Sequence, residues 1–470
     1  MLKKIYYKGL NIANRMINEL QSAKNIHFIG IGGSGMSGLA RILNIIGKKI
    51  SGSDQNVSNT FLALKSENLK IHAGHKAQNI PAKTDLVVYS AAVPKKNPEL
   101  LEAQKRKLPC LTYPQAVGLL TQHYQTISIC GTHGKTTVTA MTALSFAAAK
   151  QDPTVIVGAT LKEFNHKNER FGKSEYFILE SCEYRRGFLN YHPKVIVITN
   201  IEPDHLDYYK NLQDYRSAFQ EFCEKLPKDG LIICNSDDEN INYVMGKIKN
   251  HPKIITFGTN KKADYQIKSN KIYHNKKLLG SLDLKIPGQH NLMNAAAAIA
   301  LTHHLKFDLG KIFQALNNYH GASRRFEVKG KIGKTVFIDD YGHHPTEIKA
   351  TLKAAREKFG KKKILCIFQP HQYSRTYKLL NGFADSFNDV DEVIIPNILN
   401  VRDSAADLKK INEQILVQKI AKFQPNVSYG KGLENTTKIV QKKLKDYDVI
   451  ITMGAGDVYK LADNLLKKHQ

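Results

Sequence analysis

Along the chain, short runs of apolar, β-branched residues alternate with longer stretches whose apolar positions recur at helical spacing. That alternation predicts parallel sheets with helices on both faces. Three such blocks follow one another. The first runs from "NIHFIGI" through "DLVVYSAAV" to about residue 122. The second opens at "YQTISICGTHGKTT", takes in "SEYFILE", "KVIVITN", "GLIIC" and "KIITFG", and ends near "NNYHGASRRFE". The third holds "KTVFIDDYG", "KKILCIFQPH", "DEVIIPN" and "DVIITMGAG". The reading is an α/β chain of three domains, 1–122, 123–322 and 323–470, each built on a largely parallel sheet flanked by helices. A chain of 470 residues is too long for one hydrophobic core, which agrees with this division. The opening "MLKKIYYKGLNIANRMINEL" is basic but has neither an apolar core nor a small-residue cleavage site, and reads as a short helical extension.

Composition narrows the function classes. No apolar run approaches the roughly 20 residues that cross a bilayer as a helix, so no membrane association is expected. The six cysteines at 110, 130, 182, 223, 234 and 366 are scattered, without a CxxC pair, and read as small hydrophobes in a reducing compartment. The formal charge is +27, which raises nucleic acid as a partner. Lys and Arg are dispersed, however, and no RNP, zinc-finger or KH pattern is present. Anionic small ligands account for the charge better, and no nucleic-acid partner is expected.

Two glycine-rich turns carry the chemistry. In "HFIGIGGSGMSGLARIL" a strand runs into Gly30, Gly32, Gly33, Gly35 and Gly38 ahead of a helical pattern, with Asp54 following at the distance of a ribose-binding acid. Glycines there let the backbone approach a pyrophosphate at a helix N-terminus. Alone, this turn reads equally as that of a nicotinamide dehydrogenase. The second turn, "CGTHGKTTVTA", has strand, turn and helix in the order of a phosphate cradle, although Ile129 stands where the strict pattern has glycine. Lys135 would reach the β- and γ-phosphates of ATP, and the Thr136 hydroxyl would take one place around Mg²⁺. Glu180, closing "EYFILE", and His205, in "TNIEPDHLDYY", fall where strands end and could complete the metal shell. Hydride transfer needs no triphosphate. Two nucleotide loops fit an enzyme that grips one nucleotide-tagged substrate and activates it with ATP.

In order along the chain, "GIGGSGMSGLA", "GTHGKTT", "TNIEPDHLDYY", "GQHNLMNAAAAIA", "SRRFE", "DDYGHHPTE" and "FQPHQYSRT" make it similar to the Mur ligases of peptidoglycan synthesis, and most of all to their alanine-adding branch. The shortened loop GTHGKTT is that family's own form. The resemblance implies a Rossmann-like UDP-sugar domain, a P-loop ATPase domain and a Rossmann-like amino-acid domain. It implies a reaction in which ATP phosphorylates the lactyl carboxylate of UDP-N-acetylmuramate and L-alanine attacks the acyl phosphate, releasing ADP and phosphate.

By the same resemblance, Lys135, Glu180, His205 and Arg325 are catalytic. Thr136, Glu180 and His205 would hold two Mg²⁺ ions. Gly131, Thr132, His133, Gly134, Lys135, Thr136 and Thr137 would cradle ATP, with His290, Asn291 and Asn294 near the adenine. Arg325 and Asp340 would reach a phosphate and the ribose. Gly32, Gly33, Gly35, Asp54, His75 and Ser90 would meet the UDP-sugar, while His343, His344, His371 and Arg375 would shape the amino-acid site. Read from the residues alone, "HNLMN" is first a capped helix start, and His343 and His344 can also be residues that precede a helix at Pro345. After Glu180 this chain reads "SCEYRRGFLN" where many relatives carry "ADES", and Gln372 stands where some have Arg.

Overall fold

The computed structural model describes residues 20–249 and 252–469. The N-terminal extension read from the sequence lies, up to residue 19, outside them. By internal packing the chain forms two compact units. Among the described residues, one comprises those up to Glu202 together with Arg216–Asp264 and Ala297–Ile312, the other Pro203–Tyr215, Tyr265–Ala296 and those from Phe313 onward.

The first unit holds two sheets. Apolar runs such as "NIHFI" and "TISIC" become strands buried on both faces, because helices cover both sides of a parallel sheet. In the first sheet β1 (Asn25–Ile29), β2 (Lys49–Asp54), β3 (Lys70–Ala73), β4 (Leu86–Tyr89) and β5 (Cys110–Thr112) run parallel in the order β3-β2-β1-β4-β5. The order reverses between β1 and β4, which opens a crevice beyond Ile29 and Tyr89.

In the second sheet β6 (Gln125–Cys130) is central. The chain goes to one side of it for β7 (Thr154–Leu161), β8 (Lys167–Arg170) and β9 (Tyr176–Glu180). It goes to the other for β10 (Val195–Ile198), β11 (Leu231–Asn235) and β12 (Lys253–Gly258). These strands run β12-β11-β10-β6-β9-β7-β8, with β8 antiparallel to β7. The switch point lies at the carboxyl end of β6.

The second unit contains an antiparallel ribbon, β13 (Tyr265–Lys268), β14 (Lys271–His274) and β15 (Lys277–Ser281). Its main sheet is made of β16 (Glu327–Ile332), β17 (Thr335–Asp340), β18 (Ile364–Phe368), β19 (Glu392–Ile395), β20 (Val427–Tyr429) and β21 (Val449–Met453). They run β16-β17-β21-β18-β19-β20, all parallel except β16 against β17. Ile338, Phe368 and Ile451 face a core shared with Leu352 and Phe383, while Phe337, Leu365 and Ile450 face one shared with Val440 and Leu461.

Cys130, Cys223, Cys234 and Cys366 are buried as small apolar side chains, whereas Cys182 is exposed. Among the described residues no helix is long and apolar enough to cross a membrane.

Candidate active site

The loop after β6 is shaped by glycine and clamped by the end of β10. Gly131 has φ +132°, and a Cβ there would stand 2.1 Å from Thr199 Oγ1. Gly134, at φ +80°, precedes the helix Lys135–Ala148. The Thr132 hydroxyl accepts from the Glu202 N–H (2.8 Å) and donates to the Glu202 carbonyl (2.9 Å). The His133 N–H donates to Asn200 Oδ1 at 2.8 Å, and Asn200 Nδ2 donates to the His133 carbonyl at 3.1 Å. Sequence reasoning passed over Asn200 and Glu202 inside "TNIEPDH". The signal for them was their place directly after β10, the strand beside β6.

Lys135 opens the helix with its ammonium turned back over the loop, donating to the carbonyl of Thr132 at 2.9 Å and pairing with Glu183 at 3.1 Å. Burial alone would lower the Lys135 pKa. The fully buried Glu183 carboxylate, helped by Glu180, outweighs it and holds the ammonium charged well above its ordinary range. Thr136 donates from Oγ1 to Glu180 Oε1 at 3.0 Å, and the Gly158 N–H donates to Glu180 Oε2 at 2.6 Å. Thr137 is buried in the same helical turn. Lys135, Thr136 and Glu180 are thus brought together. A hydroxyl and a half-buried carboxylate 3.0 Å apart are hard oxygen donors of the kind Mg²⁺ prefers. Glu183 was missed because an acid three places past a strand end reads as a solvated loop residue.

In the first sheet the glycine-rich turn leads into the helix Ser34–Ile45. The Gly32 N–H donates to Asp54 Oδ2 (2.8 Å) and the Asn56 N–H to Asp54 Oδ1 (2.9 Å), so Asp54 braces the turn. Gly33 is the N-cap of the helix. A Cβ on Gly35 would come within 2.6 Å of the Tyr113 ring, so glycine here admits an aromatic side chain. Ser90 follows β4 and lies against Gly30, whose added Cβ would meet Ser90 Cβ at 3.1 Å. His75 bonds the Ser53 hydroxyl at 3.0 Å and lies 3.4 Å from Glu99. Glu99, fully buried, also takes His27 (3.0 Å), Ser53 (2.6 Å), Asn79 (2.7 Å) and the Lys76 N–H (3.1 Å). Burial works against its charge, but the bonds from His27, Ser53 and Asn79 hold its carboxyl below the usual range.

In the second unit, Asp340 ends β17 and is buried, accepting from the N–H groups of Phe326 and Gly342 at 2.8 Å each. Burial pushes its pKa up to about 6, against the pull of Arg325. Of the paired arginines, Arg324 is tied to Asp339 (2.9 Å) and to the Gly454 carbonyl (2.6 Å), while Arg325 lies over the Tyr341 ring and 3.8 Å from Glu347. His344 caps the helix Pro345–Phe359 in a box with Glu347, as the plain helix-start reading has it. The His343 N–H also donates to Glu347, at 3.0 Å.

His343 and His371 meet edge to face with ring centres 5.9 Å apart. Arg375 donates to Asp204 at 2.5 Å, both side chains being over nine-tenths buried. Burial, with Arg375 adding to it, lowers His343 to about 3 and His371 to about 4. Burial opposes ionisation of Asp204, but Arg375 prevails and keeps its carboxyl far below the usual range. Among the described residues His371 Nδ1 is buried without a hydrogen-bond partner, the sort of polar atom a ligand satisfies.

His205, with φ +52°, sits in the turn whose carbonyl receives the N–H groups of Tyr208 and Tyr209. Asn291 and Asn294 are buried in the first turns of the helix that begins at Gln289, and Asn291 donates back to the Pro287 carbonyl at 2.7 Å. A Cβ on Gly288 would meet the His290 ring at 2.5 Å and Ala354 at 3.0 Å, so these two side chains meet over that glycine.

Three family descriptions match the chain: "Mur ligase family, catalytic domain" over residues 25–125, "Mur ligase middle domain" over 129–302, and "Mur ligase, glutamate ligase domain" over 324–456. The UDP-N-acetylmuramate–L-alanine ligase of Clostridium tetani is 41% identical across 95% of this chain and 99% of its own length. That of Clostridium novyi is 40% identical across 94% and 97%. Among solved structures, the UDP-N-acetylmuramate–alanine ligase of Thermotoga maritima superposes with a TM-score of 0.80 at 28% identity, covering 95% of this chain and 99% of that one. A murein peptide ligase from Psychrobacter arcticus shares the fold, with a TM-score of 0.73 at 22% identity over 94% of this chain and 98% of its own. With this breadth of likeness added to its three α/β sheets and its phosphate loop, the chain belongs to the Mur ligase family.

Proposed function

We propose that this chain joins L-alanine to the lactyl carboxylate of UDP-N-acetylmuramate at the expense of ATP, in the cytoplasm, during assembly of the peptidoglycan precursor. The observation that carries this reading is the group formed by Lys135, Thr136 and Glu180 at the carboxyl ends of β6 and β9, in a chain 41% identical to a ligase of that name. A carboxylate oxygen is a poor leaving group and phosphate a good one. Transfer of the γ-phosphoryl group to the substrate carboxylate breaks the bond to ADP and makes an acyl phosphate. Attack by the alanine amine then forms the amide and expels phosphate.

Lys135 holds the transferring phosphoryl by charge and position, which supply most of the catalysis in such reactions. Thr136, Glu180 and His205 are the residues that would hold Mg²⁺, two ions on the family pattern, and the metal would neutralise phosphate charge. Gly131 to Thr137 cradle ATP, with Asn291, Asn294 and His290 toward the base and Arg325 and Asp340 toward phosphate and ribose. An Arg suits a phosphate because its planar fork donates two bonds. Gly32, Gly33, Gly35, Asp54, His75 and Ser90 serve the UDP-sugar; Asp54 acts through the turn it braces. His343, His344, His371 and Arg375 shape the alanine site.

Phosphate release with UDP-N-acetylmuramate and each amino acid in turn is the test. Alanine-dependent release is expected. Release only with a tripeptide would assign the chain instead to the peptide-recycling ligases.

A further inference from the structure

β7 departs from its neighbours where the ligand-bearing strand ends. It pairs with β9 through Ile156 opposite Leu179, and with β8 through Ile156 opposite Glu169. The next pair with β8 is Leu161 opposite Lys167, so β7 carries extra residues between the two pairs and bulges. Bulges next to active sites re-aim the groups they carry. Gly158 lies in this one, and its N–H donates to Glu180 Oε2 at 2.6 Å while Thr136 holds Oε1 at 3.0 Å. A Cβ on Gly158 would come within 2.7 Å of both carboxylate oxygens of Glu180. The position is otherwise exposed, and what it would strike is the far end of a movable side chain.

The returning strand β8 reaches the other nucleotide loop. Asn168 and Glu169 are polar yet almost fully buried. Asn168 Nδ2 donates to the carbonyl of Ser34, the first residue of the helix that follows the glycine-rich turn. Glu169 pairs with Arg41 of that helix at 3.1 Å, and Arg41 pairs with Glu67 at 2.8 Å. Gly38 gives β8 its close approach, since a Cβ there would lie 3.4 Å from both Asn168 and Glu169.

We propose that the β7–β8 hairpin is a strut that sets both nucleotide sites: Gly158 fixes the Glu180 carboxylate toward the metal, and Asn168 and Glu169 fix the helix behind the UDP-binding turn. This rests on the proposed function for the identity of the two ligands. Its test uses direct binding to the full-length protein, so it does not depend on turnover. Mn²⁺ is titrated by electron paramagnetic resonance in the presence of a non-hydrolysable ATP analogue, and UDP is titrated by calorimetry.

Gly158→Ala keeps the N–H but displaces the carboxylate. The expected result is an Mn²⁺ affinity about tenfold weaker, as for loss of a group that orients a metal ligand. UDP binding within about twofold of the parent, on that same scale, shows the unit to be folded. Asn168→Ala is expected to do the reverse, weakening UDP several-fold and leaving Mn²⁺ unchanged. Unaltered Mn²⁺ affinity in Gly158→Ala, loss of both ligands in either variant, or unaltered UDP binding in Asn168→Ala overturns the proposal. A parent protein that binds both ligands but joins no amino acid would instead refute the proposed reaction and leave the strut standing.

Discussion

Replacing Lys135 by Ala removes two things at once, and the structure separates them. The ammonium is the proposed grip on the transferring phosphoryl group, and it is also the partner of Glu183, whose carboxylate is 0% exposed and 3.1 Å away. A buried carboxylate stripped of its partner costs about 3–5 kcal/mol. In a unit of this size that lowers the melting temperature by on the order of 10 °C. Lys135→Ala should therefore lose ADP release and stability together, while the folded fraction still binds UDP-N-acetylmuramate. Adding Glu183→Gln removes the stranded charge without changing the shape, so the double variant should regain most of the stability and none of the turnover. Urea and thermal unfolding followed by circular dichroism measure the first quantity, and coupled ADP release the second. If Lys135→Ala unfolds with the parent, the pair does not hold the loop together as described. If the double variant turns over, Lys135 is not the phosphoryl-binding cation.

Three further outcomes follow from the same reasoning. Arg375→Ala strands the Asp204 carboxylate, 9% exposed, and should destabilise the second unit by about 3 kcal/mol while raising the KM for alanine far more than that for ATP, read by urea unfolding and initial rates. Gly35→Ala drives a methyl to within 2.6 Å of the Tyr113 ring and should raise the KM for the UDP-sugar several-fold at a stability cost of about 1–3 kcal/mol. For pH, His343 and His371 are depressed to about 3 and about 4, so below about 6.5 the unfolded chain binds protons that the folded chain refuses. Stability should fall as pH drops from about 6.5 toward 4, with the depressed Asp204 extending the loss below its unfolded value. Asp340, raised to about 6, acts in the opposite sense, withdrawing stability as pH rises from about 4 through 6. Melting curves across pH for the parent and for His343→Asn with His371→Asn test this; a slope the double variant leaves unchanged would count against it.

What could be read from the chain was what depends on local pattern. β-branched runs between helical stretches announced the strands, and glycine before "KTT" announced the phosphate loop, because backbone at φ +132° and +80° admits little else. What could not be read were partners brought in by topology. Glu99 sits on an ordinary amphipathic helix, and only the parallel packing of β1 and β2 brings His27 and Ser53 onto it. Gly158 in "VIVGATL" looks like any strand glycine until β9 lays Glu180 beside it. Asp204 and His205 follow β10 directly in sequence, yet pack with the second unit, where Arg375 meets Asp204. His344 shows the converse: its capping role was already one of the two readings that the residue before Pro345 allowed.

The carboxylates share one consequence. Asp54 holds the Gly32 amide, Glu183 the Lys135 ammonium and Asp204 the Arg375 guanidinium. The proposed function gives the Gly32 amide to the UDP-sugar, the Lys135 ammonium to the transferring phosphoryl group and Arg375 to the alanine site. An incoming phosphate or carboxylate then exchanges one anion for another instead of meeting an unpaired donor, so much of the Coulomb energy cancels. A singly charged anion gains little from that exchange. A triphosphate, with several charges and the accompanying metal, gains more. Glu183 and Asp204 thus give the buried Lys135 and Arg375 an internal partner, Glu183 also holding the ammonium charged, and affinity then depends on the number of charges a ligand brings. In a chain of formal charge +27, anions in general would otherwise compete for the same sites.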